Sequence, residues 1–320
     1  MTRPIILLLA ALAVAVPLSL LAGRVWIDPF DPQTRNAAVI VLQLRLPRAA
    51  LALVVGAGLG SAGAAMQGYL RNPLADPGLF GIAPGAALGA VLSFWTGYAA
   101  SAWLLPVFAL IGAGGAMALL ALIAGRDGGI ALFTLAGLMI ASLAGALMSL
   151  AISLSPTPFA MSEIVTWLMG AIADRSWREV WIATPLTLLG IGLLAVTGRS
   201  LDALTLGEAA ARSMSVEPRK LQALLIAGIG LTVGASVAVA GIIGFVGLIV
   251  PHLMRPFTDR RPSSLLIPSA LAGALLVLIA DCLCRILPLA GGELRLGIAL
   301  SLIGAPFFLH LLFKMRRGLA

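Results

Sequence analysis

Lysine is almost missing: of 320 residues only Lys220 and Lys314 carry an amine, and there are just two histidines and two cysteines. No G-x-x-x-x-G-K-[ST] run occurs, so the chain cannot cradle a nucleotide in the P-loop manner, and any nucleotide energy must come from another polypeptide. Cys282 and Cys284 stand two apart in a helical run, about 200° around the axis from each other. They can neither bridge nor build a zinc site without further cysteines. His252 and His310 have no Cys, Asp or Glu at metal-ligand spacing, so a structural bond or a partner contact suits His252 better than a metal. A Ser-His-Asp set, paired carboxylates and HExxH are also lacking, which points away from an enzyme. Charge is scarce as well, at 11% against 60% hydrophobic residues, with a mean hydropathy of +1.07. A soluble domain cannot cover so much apolar surface, so the expected class is an all-α polytopic membrane protein.

What is present are long charge-free runs: 4–23, 49–70, 77–125, 128–162, 180–198, 221–254, 262–280 and 296–313. One helical crossing needs roughly 20 residues. Run 77–125 therefore holds two crossings with a turn near WTGYAASAW, and 128–162 holds one plus extra. Run 221–254 is either one long crossing or two short ones broken at AGIIGFVG. Splitting it gives about ten spans and puts thirteen of the 21 basic residues on the side of the N-terminus. Leaving it whole reverses that bias. The positive-inside rule favours ten spans with both termini cytoplasmic. The net charge of +8 is then a topological signal, not a nucleic-acid footprint. The opening run also has the look of a secretory signal; with so many apolar runs behind it, an uncleaved first span is the better reading.

GLGSAG (58–63) satisfies G-x-G-x-x-G but lies in mid-span, where small residues let helix backbones approach closely; packing, not dinucleotide binding, is expected. Asp281 and Arg285 are spaced to neutralise one another. In 71–86, Arg71, Asn72 and Asp76 are turn chemistry or a surface read by a partner. SEIVTWLMG is helical but too short to cross, and is read as a half-helix over 159–170 against the mouth of a pathway. Arg45, Arg48 and Arg295 fall on the outer side, where they either reach lipid phosphates or pair with acids of a docking protein. The polar segment TLGEAAARSMSVEPRK (205–220) reads as two short helices joined near Ser213–Ser215. A capping box at Thr205 and Glu208 starts the first, a Glu208–Arg212 pair supports it, and Pro218 opens the second. Such rigidity suits docking of a partner better than a linker.

RLPRAALALVVGAGLGSAGAAMQGYLRNPLADPGLFGIAPGAALGA, LGEAAARSMSV, VAVAGIIGFVGLIVPHLMR and ELRLGIALSLIGAPFFL resemble, in order, the FecCD-type permeases of type II ABC importers for iron complexes and vitamin B12. The resemblance implies one permease domain over residues 1–320 in the bacterial inner membrane. It implies a second permease copy, two cytoplasmic ATPases that hold ATP and Mg, and a periplasmic binding protein, with no cofactor on this chain. Its coupling helices correspond to 199–220, with Thr205, Gly207, Glu208, Ala209, Arg212 and Ser213 at the ATPase interface; Ala209 replaces a usual second acid. Arg45 and Arg48 match arginines expected to receive glutamates of the binding protein, while Arg295 stands where the family commonly has proline. The fifth and tenth spans and the half-helix would line the route, with Met148, Met161, Trp167 and Met169 as candidates. A ferric siderophore or heme leads as cargo and cobalamin follows. An ion-coupled secondary transporter using Asp281 or Glu163 is the rival.

Overall fold

The computed structural model describes residues 2–23, 26, 37–101, 103–124, 129–287 and 292–317. Arg24, Arg35 and Arg126 of the charge count lie outside them. Among the described residues the chain is helical with no strand, and eight helical stretches are long and apolar enough to cross a membrane. The long helices are α1 (Thr2–Leu21), α3 (Leu46–Tyr69), α5 (Leu104–Ala124), α6 (Ile130–Ser153), α8 (Trp177–Val196), α11 (Pro218–Ala240), α13 (Pro262–Ile286) and α14 (Leu296–Arg317). Shorter ones fill the order: α2 (Ala37–Val39), which runs through a π-helical turn into α3, α4 (Ile82–Trp95), α7 (Pro158–Leu168), α9 (Gly198–Leu204), α10 (Glu208–Ser213) and α12 (Val246–Met254).

The centre of the bundle is the antiparallel pair α3 and α13. A methyl group on Gly56 would strike Gly273, and one on Gly60 would strike the carbonyl of Ser269. Backbones meet there directly, as small residues allow in lipid, where burial in protein offers no hydrophobic gain over burial in lipid tails. Gly63 touches Gly247 of α12 in the same way. The 58–63 glycines are therefore packing surface, as the sequence indicates.

The run 221–254 does break. α11 begins beside α3's last turn, where Gln222 donates to the Tyr69 hydroxyl (2.7 Å), and Thr232 lies further along against Gly58. Its far end meets the half-helix α7: a Cβ on Gly241 would fall on the Trp167 carbonyl. The chain then turns back as a non-helical stretch, 241–245. Gly247 passes Gly63, and Arg255 reaches Gln67 (3.0 Å), so the chain returns to the end it left. One crossing is thus made by five unwound residues and the nine-residue α12. Eight long helices, α4 and this composite give ten passes. Both described termini lie at the end that carries α9 and α10.

Candidate functional site: the polar face at one end and the mouth at the other

At the α9–α10 end, the local structure corrects three expectations. Thr205 opens no helix: it is the C-cap of α9, and its hydroxyl donates backward to the Asp202 carbonyl (2.6 Å). Gly207 is the N-cap of α10, with φ 103 and ψ 158, a conformation reserved for glycine. The pattern S/T-x-x-E forms its box at Ser176 and Glu179 instead, where it opens α8. Second, the two short helices are α9 and α10, joined at 205–207; the Ser213–Ser215 turn leads into the long α11, with Pro218 in its first turn. That turn is a Schellman closure: Val216 N–H to Ala211 carbonyl (3.0 Å), Ser215 N–H to Arg212 carbonyl (3.0 Å), with Ser215 at φ 63.

Third, Glu208 and Arg212 are not ion-paired. The Glu208 carboxylate turns inward, and a methyl on Gly129 would lie 3.6 Å from both its oxygens. Gly129 is the N-cap of α6, so the carboxylate faces the positive end of that helix, where a negative charge is favoured. Beside them is a cavity of about 400 Å³ bordered by Tyr69, Gly129, Glu208, Arg212, Glu217 and Gln222.

The face is anchored by a residue the sequence did not single out. Asp202 accepts from the Ser263 N–H (2.9 Å) and hydroxyl (2.6 Å), tying α9 to the start of α13. Ala211 is buried, while Ala209, Arg212 and Ser213 are exposed. Beside them Leu206, Met214 and Phe257 are 68%, 58% and 65% exposed. Apolar side chains set among Arg212, Arg260 and Arg261 form a surface suited to a protein partner more than to lipid tails.

At the opposite end, Arg48 is turned inward. Its side chain is 12% exposed; Nε donates to both Asp281 oxygens (3.0 Å each), and Nη2 donates to Asp281 (2.9 Å) and Glu293 (2.8 Å). Arg285 stands 3.3 Å from Asp281, so the expected i,i+4 pair exists but shares its acid. Arg45 donates to the carbonyls of Leu20 and Leu21 (2.9 and 2.7 Å), capping the C-terminus of α1. The charge expected to face a docking protein at Arg48 is thus spent inside the chain, and Asp281 is committed to two arginines. Cys282 and Cys284 are free.

The half-helix over 159–170 is α7, opened by Thr157, whose hydroxyl accepts from Ala160 N–H (3.1 Å). The structure brings its end together with the start of α14 and the end of α11. Gly297 N–H donates to the Gly170 carbonyl (3.0 Å), and Ala171 N–H to that of Ala240 (2.8 Å). Met161 and Met169 are exposed there, and Trp167 packs edge-on to Phe94 at 6.2 Å. Met148 lies apart, half-buried within α6. His252 packs against Phe307 at 5.7 Å. Under α7 is a polar cavity of about 290 Å³ that includes Trp167, Arg175 and Arg295. Burial draws the Arg175 guanidinium below its usual value, and Glu179 and Asp174 draw it back.

A ten-pass helical bundle with a polar helix pair at one end and a half-helix at the other is the architecture of a polytopic membrane protein. The match to the FecCD transport family model covers residues 5–314. The chain belongs to that family, as a permease subunit of the ABC importer type. It is 38% identical over 320 residues to the vitamin B12 import system permease protein BtuC of Escherichia coli O9:H4, covering 98% of this chain and 96% of that one. It is 38% identical over 307 residues to BtuC of Salmonella arizonae, with 95% and 92% covered. A solved chain assigned to the metal-chelate type of ABC transporter, in an inward-facing conformation, superimposes with a TM-score of 0.90 at 32% identity, covering 98% of this chain and all of that one.

Proposed function

We propose that this permease imports cobalamin, working as a pair of copies with two ATPases at the α9–α10 end and a binding protein at the α7 end. What supports the cargo is the 38% identity, over nearly the whole length, to permeases of vitamin B12 import systems. A ferric siderophore or heme, placed first by the family resemblance, yields to it. The placement of the ATPases rests on the exposed Leu206, Met214 and Arg212 and on the positive-inside bias, which makes that end cytoplasmic. In this reading Glu208 is the coupling residue. An ATPase pressing on α10 moves a carboxylate that faces the N-terminus of α6, so the push reaches a full membrane span directly. ATP binding and release then favour different arrangements of the paired permeases, exposing the route alternately to each side.

Proteoliposomes containing this chain, its ATPase and its binding protein test both halves. The intact chain takes up cyanocobalamin on ATP addition and does not take up a ferric siderophore or heme. Glu208→Ala with Arg212→Ala lowers uptake at least tenfold, while ordinary amounts of chain insert. Uptake driven by an ion gradient without ATPase, or full transport by the double variant, would refute the proposal.

A further inference from the structure

The cavity under α7 contains donors with nothing to donate to. Nε of Arg175 and Nε1 of Trp167 are both buried, and neither has a hydrogen-bond acceptor. Among the described residues the side chains of Arg175 and Arg295 form no hydrogen bond or ion pair. Glu179 and Asp174 attract Arg175 through space without bonding to it. One Glu179 oxygen is taken by the Ser176 N–H and hydroxyl (2.8 Å each), the other by Arg178 (2.6 and 3.0 Å). An arginine stays charged at any physiological pH, and Arg295 lies close enough to oppose it. Two converging cations, an indole N–H and the Ser162 and Thr166 hydroxyls make a surface that an oxyanion completes.

We propose that the cavity framed by Trp167, Arg175 and Arg295 is a subsite for an oxyanionic group of the cargo, which in cobalamin is the phosphodiester of its nucleotide loop. A space of about 290 Å³ is below the roughly 300–1,000 Å³ that holds a whole drug-sized ligand, so it takes one arm of a corrinoid and leaves the ring in the mouth. Glu163 and Asp174 stand on its exposed rim, where solvent screens them and where they can accept from the amide arms of the ring. The cavity borders both α7 and the start of α14, so an arm seated there contacts two of the elements that meet at the mouth. The assignment of the phosphodiester rests on the cobalamin reading; the donor set itself does not.

Cobinamide keeps the corrin ring and its amides but lacks the phosphodiester, so it is the discriminating probe. Uptake of cyanocobalamin and of cobinamide is measured in the reconstituted system, with binding protein preloaded to equal occupancy. Intact permease should favour cyanocobalamin. Arg175→Gln and Arg295→Gln should lower its uptake about tenfold, as expected for one lost charge-assisted bond, and leave cobinamide unchanged. Trp167→Phe should lower it less, and Arg175→Lys should keep most of the preference. Unchanged cobinamide uptake also reports that each variant is folded. An equal fall for both probes, or a preference that survives the substitutions, overturns the subsite. So does weaker docking of empty binding protein to the variants, because the oxyanion would then be the partner's. Intact permease moving both probes equally sinks only the subsite; moving neither sinks the cargo reading and the phosphodiester with it.

Discussion

At the scale of single residues, what the sequence disclosed was local. Asp281 and Arg285, one turn apart, could be paired on spacing alone. Arg48 and Asp281 are 233 residues apart, and nothing in either segment announces the other. The inward turn of Arg48 was hidden for the same reason: a charged residue before a span reads as outward-facing until its buried acid is known. The cluster makes an ordered prediction for thermal unfolding in detergent. Asp281→Ala takes the shared acid from Arg48 and Arg285, which are 12% and 4% exposed, leaves Arg48 only the half-exposed Glu293, and should cost about 3–5 kcal/mol. Arg48→Ala should cost less, because Asp281 keeps Arg285. Glu293→Gln, at 31% exposure, should cost about 1 kcal/mol or less. If Arg48→Ala leaves unfolding unchanged and weakens only binding-protein docking, Arg48 is a docking residue after all.

At the scale of elements, the sequence showed where helices stop more reliably than what caps them. S/T-x-x-E occurs at both Thr205 and Ser176, and only the second forms the box. The difference lies in the residue between helices: Gly207, with its positive φ, takes the cap position, and Thr205 finishes the helix before it. A motif of four residues cannot reveal that a glycine inside it will carry the bend. The break at 241–245 was legible because its glycines interrupt an apolar run, and the two glycines there have different duties. Gly241 has φ 71 and ψ −162, and a Cβ on it would meet the Trp167 carbonyl. Gly244 has no atom within 4 Å of where its Cβ would stand. Gly241→Ala should therefore destabilise the fold by about 1–3 kcal/mol and slow transport by pushing α7 away. Gly244→Ala should shift stability by about 0.5 kcal/mol or less. Equal effects in melting and uptake assays would show that the bend does not depend on the Gly241 conformation.

At the scale of the whole molecule, the number of passes was readable from charge and not from length. α12 has nine residues, about half of a crossing helix, and among the described residues only eight helical stretches are long enough to cross alone. The basic residues after it, Arg255, Arg260 and Arg261, revealed that the chain had come back, because their side of the bilayer is fixed by a rule indifferent to helix length. An unwound stretch at membrane depth is tolerated where protein or a cavity encloses it: Gly241 and Ile242 meet the end of α7, Ile242 and Phe245 meet α14, and the stretch borders a cavity of about 400 Å³. The same geometry predicts which positions share a face of the membrane. With Cys282 and Cys284 replaced by alanine, single cysteines at positions 212 and 259 should react with an impermeant maleimide from one face of sealed vesicles, and a cysteine at 163 from the other. All three positions are exposed, so reactivity reports the side of the membrane and not burial. The face shared by 212 and 259 should be the cytoplasmic one. Were α12 to lie in the bundle without completing a pass, 259 would instead label with 163, and the proposed ATPase surface would lose Phe257, Arg260 and Arg261.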